Sequence, residues 1–287
     1  LTEYLRGLPG MDHNVLKAEL SVLYSPCCNI VADLPVAKLN DGMDELLEAL
    51  VKYVYETRGM GLQVDAKMIR HYAGLFWQGV KEGYGKDLTD FADGSVDHRM
   101  LSAIRENVWQ FSAAKNYNQL RALSNAIIGA DGKILTESEF KRAAYAINKE
   151  HVGPWLSAEY DLTITGGQMC SKWAKAQVDN VPLLEFDAVM DTHTTQTCRE
   201  LNGTVKAMTD AFWDIYYPPN HFRERSTVRE RYSGAITPSS SINYPDIPAM
   251  FQTNLAKSGL VFPAGHAYFN GLPEQVKQTA SKLSKRP

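Results

Sequence analysis

No stretch of the sequence approaches ~18 consecutive apolar residues, and no positively charged segment followed by an apolar run opens it, so neither a membrane span nor a secretory signal is expected. Cysteine is scarce: four in 287 residues, Cys27, Cys28, Cys170 and Cys198, the first two adjacent. That spacing offers no repeating disulfide framework, and a reducing compartment is the expectation. Neither sign of charge dominates. With 30 Lys and Arg against 33 Asp and Glu, interspersed over most of the chain, the net charge is −3, which implies no global attraction to nucleic acid or anionic membrane. HExxH, GxxxxGK[ST] and GxSxG are all missing, which lowers the expectation of a common hydrolase or nucleotide-binding enzyme. The run Asp131-Gly132-Lys133-Ile134 before Glu139-Phe140 imitates half of a calcium-binding loop, but the register fails. With Gly132 at the sixth position, Ile127, Gly129 and Ser138 fall where oxygen ligands belong. A tight turn leading into a capped helix explains these residues.

What is present is an ordinary globular balance, 44% hydrophobic and 22% charged, enough to bury a sizeable core. The first half reads as helical. From Met43, Leu46, Leu47, Leu50, Val51 and Val54 recur at helical spacing, and Gly59 and Gly61 follow as stop signals. Asp65 caps a second helix whose face, Met68, Ile69, Tyr72, Ala73, Phe76, Trp77 and Val80, is wide enough for two neighbours. Further patterns run through Met100, Leu101, Ile104 and Val108, then Leu120, Leu123 and Ile127. Thr136 with Glu139 forms a capping box for a helix bearing Phe140, Ala143, Ala144 and Ile147.

After about residue 180 the pattern becomes β-like. Leu184, Phe186, Ala188 and Met190 alternate with Glu185, Asp187 and Val189, as in a strand buried on one face. The segment Pro238 to Pro248 is rich in Ser and Pro and reads as an extended, surface-hugging arm. The tail with Lys277, Lys282, Lys285 and Arg286 reads as solvated and disordered, or else as a DNA contact. The fold class expected is α+β: a mainly helical part over 1–150, a small β-containing unit over 151–235 and an extended arm with its basic tail over 236–287.

The chemistry concentrates in Asp191-Thr192-His193-Thr194-Thr195-Gln196-Thr197-Cys198-Arg199-Glu200-Leu201-Asn202-Gly203, then Phe212-Trp213, Tyr217-Pro218-Pro219-Asn220-His221 and Arg225-Ser226-Thr227-Val228. A strand ends at an acidic turn, Thr194 or Thr195 caps a short helix, Gly203 breaks it, and a Pro-Pro-Asn corner returns the chain to a strand. Cys198 and His221 are two metal-ligand types that such a fold could unite, with His193 or Glu224 as third partner; the alternative is a buried thiol and a histidine hydrogen-bonded in a turn. Arg223, Arg225, Arg229 and Arg231 alternate, with Glu224 and Glu230 between them. That pattern suits either a track for DNA phosphate or an acidic partner, or a salt-bridged face.

The order of an aspartate after a strand, a Cys three residues before Leu-x-Gly, a Trp, and Pro-Pro-Asn-His leading into Arg-x-Thr-Val resembles the signature of Mu F-like phage head morphogenesis proteins. Upstream, Asn107-Val108-Trp109-Gln110-Phe111-Ser112-Ala113-Ala114-Lys115, the Asp131-Gly132-Lys133 turn and Ala158-Glu159-Tyr160 are similar to the longer version in phages and prophages of Bacteroides-like bacteria. So is Ser258-Gly259-Leu260-Val261-Phe262-Pro263. The resemblance spans roughly residues 105 to 270. Family members commonly close the Pro-Pro corner with Asn-Cys-Arg-Cys, whereas this chain reads Arg223-Glu224-Arg225-Ser226, and Cys198 stands as the lone thiol.

The resemblance implies a minor head protein, active in head morphogenesis near the portal and associated with DNA packaging or ejection. Its expected partners are portal and capsid or scaffold proteins and double-stranded DNA, with no membrane. Its expected place is the virion, in the head interior or at the portal vertex, and the host bacterial cytoplasm during assembly. The expected action is binding, with no catalytic residues, through Asp191, Leu201, Gly203, Trp213, Pro218, Pro219, Asn220, Arg223 and Arg225. If the family's thiols and histidines form a metal-stapled knuckle, Cys198 and His221 are the zinc candidates here. The alternative class is an effector carried inside the head, a nuclease or an ADP-ribosyltransferase-like enzyme built on Arg225-Ser226-Thr227-Val228-Arg229-Glu230.

Overall fold

Apolar stripes at helical spacing, closed by caps, organise the first two thirds of the chain. The computed structural model describes residues 2–25, 42–61 and 64–285; Cys27, Cys28 and Arg286 lie outside them. Helices α1 (Thr2–Arg6) and α2 (His13–Leu23) precede α3 (Met43–Thr57), α4 (Ala66–Tyr84), α5 (Val96–Asn125), α6 (Glu137–Val152) and α7 (Pro154–Val178). The Asp65 carboxylate accepts the Met68 N–H at the start of α4, and Thr136 and Glu139 form a reciprocal capping box at the start of α6. Gly59, with φ +71°, follows the end of α3. The wide aromatic face of α4 packs on both α5 and α7, as its width requires.

The two patterns read around Leu101 and Leu120 belong to one 30-residue helix, α5, which runs through the middle of the bundle. Every residue from Phe111 to Leu120 is buried, so no face of this stretch is left to solvent. Most of its buried polar side chains are bonded, the Asn116 Nδ2 being an exception. Gln119 joins Tyr72 and Asn148 at 3.0 and 2.9 Å, Asn118 donates to the Tyr268 carbonyl at 2.9 Å, and Asn107 clamps both backbone groups of Phe262 at 2.9 and 2.8 Å. Helices α4 and α7 approach so closely that a Cβ on Gly83 would lie 1.9 Å from the Ile164 carbonyl oxygen, and one on Gly167 2.5 Å from that of Val80.

The second part holds a three-stranded antiparallel sheet in the order β2-β1-β3, from β1 (Leu183–Asp187), β2 (Val205–Ala207) and β3 (Thr227–Arg231). Short helices α8 (Gln196–Leu201) and α9 (Phe212–Tyr216) stand between the strands. Leu183 pairs with both Ala207 and Arg231, which puts Leu184, Phe186 and Val228 on the buried face. β1 is shorter than its alternation suggests: Met190 is 53% exposed, because the chain turns out of the sheet at Asp187. A helical part joined to a small antiparallel sheet agrees with the α+β expectation. Near the expected boundary at residue 150, α6 ends at Val152 and Gly153 leads directly into α7 at Pro154.

The last fifty residues correct the expected arm and tail. Residues 238–248 are largely extended, yet Ile242 and Ile247 are buried, and the chain beyond them enters the helical core. Phe262 stacks on Phe111 with ring centroids 3.6 Å apart, and Met250, Phe251 and Tyr268 are buried. After α10 (Leu255–Ser258), helix α11 (Glu274–Ser284) lays Val276, Ala280 and Leu283 against α5. These apolar residues recur at i, i+4 and i+7, so the tail folds as an amphipathic helix carrying Lys277 and Lys282 on its outer side.

Candidate metal centre

Each motif residue has a local structural cause. Asp191, in the turn after β1, accepts both terminal nitrogens of Arg225 at 2.7 Å and the His193 N–H at 2.9 Å. The Arg225 hydrogen bonds, followed by that of the His193 backbone, hold its carboxyl well below the usual carboxylate range. Thr195 caps α8 by accepting the Cys198 N–H, which fixes the thiol in the helix's first turn. Gly203, with φ +79°, ends the following turn so that its N–H reaches the Phe186 carbonyl at 2.8 Å. Leu201 and Trp213 are fully buried, and the Trp213 indole donates to the Ala207 carbonyl at 3.1 Å. The Pro218-Pro219 corner, a cis peptide, is tied to α7 by Tyr217, whose hydroxyl donates to the Met169 carbonyl at 2.8 Å.

This scaffold brings Cys198, His221 and Glu224 together. Cys198 Sγ lies 3.3 Å from His221 Nε2 and 3.4 Å from Glu224 Oε1, all three residues are buried, and their donor atoms lie within 4.8 Å of one another. The His221 Nδ1 donates to the Phe222 carbonyl at 2.9 Å, which leaves the Nε2 lone pair facing the thiol and the Thr195 hydroxyl, 3.1 Å away. Glu224 is oriented by Asn220, whose backbone N–H donates to Oε2 while Nδ2 reaches Oε1 at 3.5 Å. Imidazole and carboxylate are therefore both held by outer hydrogen bonds, as in ligands set for a metal ion.

Burial, and secondly the charge of Glu224, push the Cys198 thiol up to about 12. A thiol so held is no activated nucleophile, despite its imidazole neighbour. The same donors do suit a metal. A tetrahedral zinc with Zn–S of about 2.3 Å and Zn–N of about 2.0 Å separates its ligand atoms by about 3.5 Å. The separations of 3.3 and 3.4 Å from the Cys198 sulfur come close to that, and the His221 and Glu224 donors lie within 4.8 Å of each other. The group can hold a metal ion, and Glu224 rather than His193 is its third member. His193 is exposed and only borders the small space beside the group.

The arginines do not form one strand face. β3 begins at Thr227, so Arg223, at φ +60°, and Arg225 lie in the loop before it. All four meet carboxylates: Arg223 with Asp161 at 3.8 Å, Arg225 with Asp191, Arg229 with Asp187 at 2.9 Å and Arg231 with Glu185 at 2.6 Å. Glu230 turns to Lys175 of α7 at 3.6 Å. The salt-bridged alternative is the one that the geometry carries.

Sequence reading missed a second polar cluster, inside the helical part. Lys115 and Glu159, both fully buried, are 2.8 and 3.1 Å apart at the two carboxylate oxygens, and Lys115 also donates to the His151 carbonyl at 2.8 Å. Tyr24 donates to Glu159 at 2.8 Å and lies 2.8 Å from His266 Nε2. Because His266 Nδ1 accepts the Tyr268 N–H, the neutral ring carries its proton on Nε2 and donates to Tyr24. The one local signal was Lys115 following Ala113 and Ala114, a charge beside small residues in a helical stretch. Among known proteins, no family model, no curated protein and no solved structure matches the chain.

Proposed function

We propose that this chain is a minor head protein of the Mu F-like type, which assembles with the portal and with capsid or scaffold proteins during head morphogenesis. Its β-containing unit is stapled by zinc at Cys198, His221 and Glu224. The observation that carries the reading is the fate of the ordered motif. Asp191, Leu201, Gly203, Trp213, Asn220 and Arg225 are engaged in capping, packing and ion pairing within one compact unit. Such residues build a rigid element for others to bind.

The carried-effector alternative finds less support in the same residues. Arg225 and Glu230 are committed to Asp191 and Lys175. The space beside Arg225 measures about 10 Å³, well short of the roughly 300 Å³ at which ligand pockets begin; the cleft of about 470 Å³ bordered by Val228, Arg229 and Glu230 has Lys172 and Lys175 in its wall but neither Arg225 nor Ser226, so it does not unite the Arg, Ser-Thr and Glu elements. Zinc in this reading replaces the proton of a buried thiol and ties the corner at His221 to α8.

The test is co-expression with the portal protein encoded beside this chain, followed by sizing and mass measurement. The expected result is a complex of defined stoichiometry. Clean separation at micromolar concentration would refute the portal role and favour a free or carried protein. Metal analysis of the purified chain should return close to one zinc per chain in wild type and none in Cys198→Ser.

A further inference from the structure

Three donors converge where a tetrahedral ion has four vertices. Cys198, His221 and Glu224 are the whole of the ligand group found among the described residues. Nearby acids and bases are otherwise occupied. Both Asp191 oxygens face Arg225, and Asp161 lies against Arg223. What borders the three donors is a space of about 10 Å³, with Thr195, Ser226, His193 and Arg225 in its wall. That is roughly the room one water molecule needs; most of its exposed wall is apolar, Val189 included, and the Thr195 and Ser226 hydroxyls and the Arg225 guanidinium are among the polar groups beside it.

Resting on the metal reading above, we propose that the ion held by Cys198, His221 and Glu224 keeps its fourth position open to a small exogenous ligand, a water molecule or a monodentate anion. Closed structural zinc sites supply four protein ligands, and open ones supply three. Here the count is three, the neighbours are neutral hydroxyls, and the Arg225 guanidinium adds positive charge to the wall. Ser226, which hydrogen-bonds the Cys198 side chain, stands where a fourth thiolate would close the set.

The experiment uses the full chain, freed of metal and loaded with cobalt(II) alone, then titrated with sodium azide against a sodium chloride control. The expected result is a thiolate-to-cobalt band that is lost in Cys198→Ser, with visible ligand-field bands that shift and saturate as azide is added. Ser226→Cys should roughly double the thiolate band and abolish the azide response. Cobalt bands that do not move with azide in the wild type would overturn the open position while leaving the metal site standing. Absence of any cobalt band would overturn both. An azide response that persists unchanged in Ser226→Cys, with the thiolate band doubled, would place the open position elsewhere and sink the tetrahedral assignment.

Discussion

Replacing Lys115 by Met keeps the length of the side chain and removes its charge. The ammonium is fully buried, held by Glu159 at 2.8 and 3.1 Å and by the His151 carbonyl, with the rings of Tyr72 and Tyr268 at 5.3 and 5.4 Å. Burial draws Lys115 down and Glu159 up, and each charge restrains the other. Removing one partner leaves a lone buried charge or forces a proton change, at a cost of about 3–5 kcal/mol. Removing both relieves that desolvation. The Tyr268 hydroxyl, which also bonds Glu159, keeps His151 Nδ1 as a partner at 3.4 Å, so what remains unpaired is the His151 carbonyl and the Tyr24 hydroxyl proton, at about 1–3 kcal/mol each. Lys115→Met and Glu159→Leu should therefore each cost about 3–5 kcal/mol, and the double variant about 2–6 kcal/mol, below the sum. The assay is urea unfolding at pH 7 followed by far-ultraviolet circular dichroism, with equal denaturant slopes as the check on cooperativity. Glu159→Gln serves as the milder single change if Glu159→Leu does not fold. Additivity to within about 0.5 kcal/mol would refute the coupled-pair account.

Four further outcomes are expected. His266 is held neutral down to about 3, chiefly by burial and then by Lys115, whereas an unfolded histidine protonates near 6.5. The unfolded chain therefore binds the extra proton, and stability present above pH 6.5 is lost as pH falls toward 3. Urea unfolding free energies of wild type minus His266→Gln should show a slope of about 1.4 kcal/mol per pH unit between those two values, and parallel curves would dispose of the assignment. Gly83→Ala should destabilise by about 2–4 kcal/mol because its Cβ meets the backbone of Ile164, whereas Gly74→Ala, with nothing within 4 Å, should stabilise by about 0.5–1 kcal/mol; thermal melts decide. Removing metal with a chelator should lower the melting temperature of wild type and leave Glu224→Ala unchanged, and equal shifts would argue against a site at Glu224. Asn107→Ala, which strips both bonds from the buried Phe262 backbone, should cost about 2–4 kcal/mol and speed proteolysis of the C-terminal segment.

Much of the helical part was legible because its signals are local. Asp65, Thr136 with Glu139, and the stripe from Met68 to Val80 act within one or two turns, and the structure uses them as read. What failed to show was the identity of the central helix. Periodicity assumes one wet face, and α5 from Phe111 to Leu120 has none. Nothing local marks its Asn, Gln and Lys residues as buried, because their partners, Phe262, Tyr268, Asn148 and Glu159, are distant in sequence. The C-terminal segment was misread for the same reason. Proline and serine excluded a long helix but said nothing of Phe262 stacking on Phe111.

The metal candidate sits between these cases. Residue types identified Cys198 and His221 and offered Glu224 beside His193, but the choice depended on geometry that only the folded corner supplies. Asn220 turns its backbone N–H to the Glu224 carboxylate, and the left-handed Arg223 between them lets the chain fold back so that Oε1 faces the thiol. His193, by contrast, follows Asp191, whose bidentate bond to Arg225 fixes the turn with the imidazole outside. The same arginine thus settles two questions. It removes His193 from the ligand set, and being paired itself, it turns a run of alternating arginines from a phosphate track into the frame of the site.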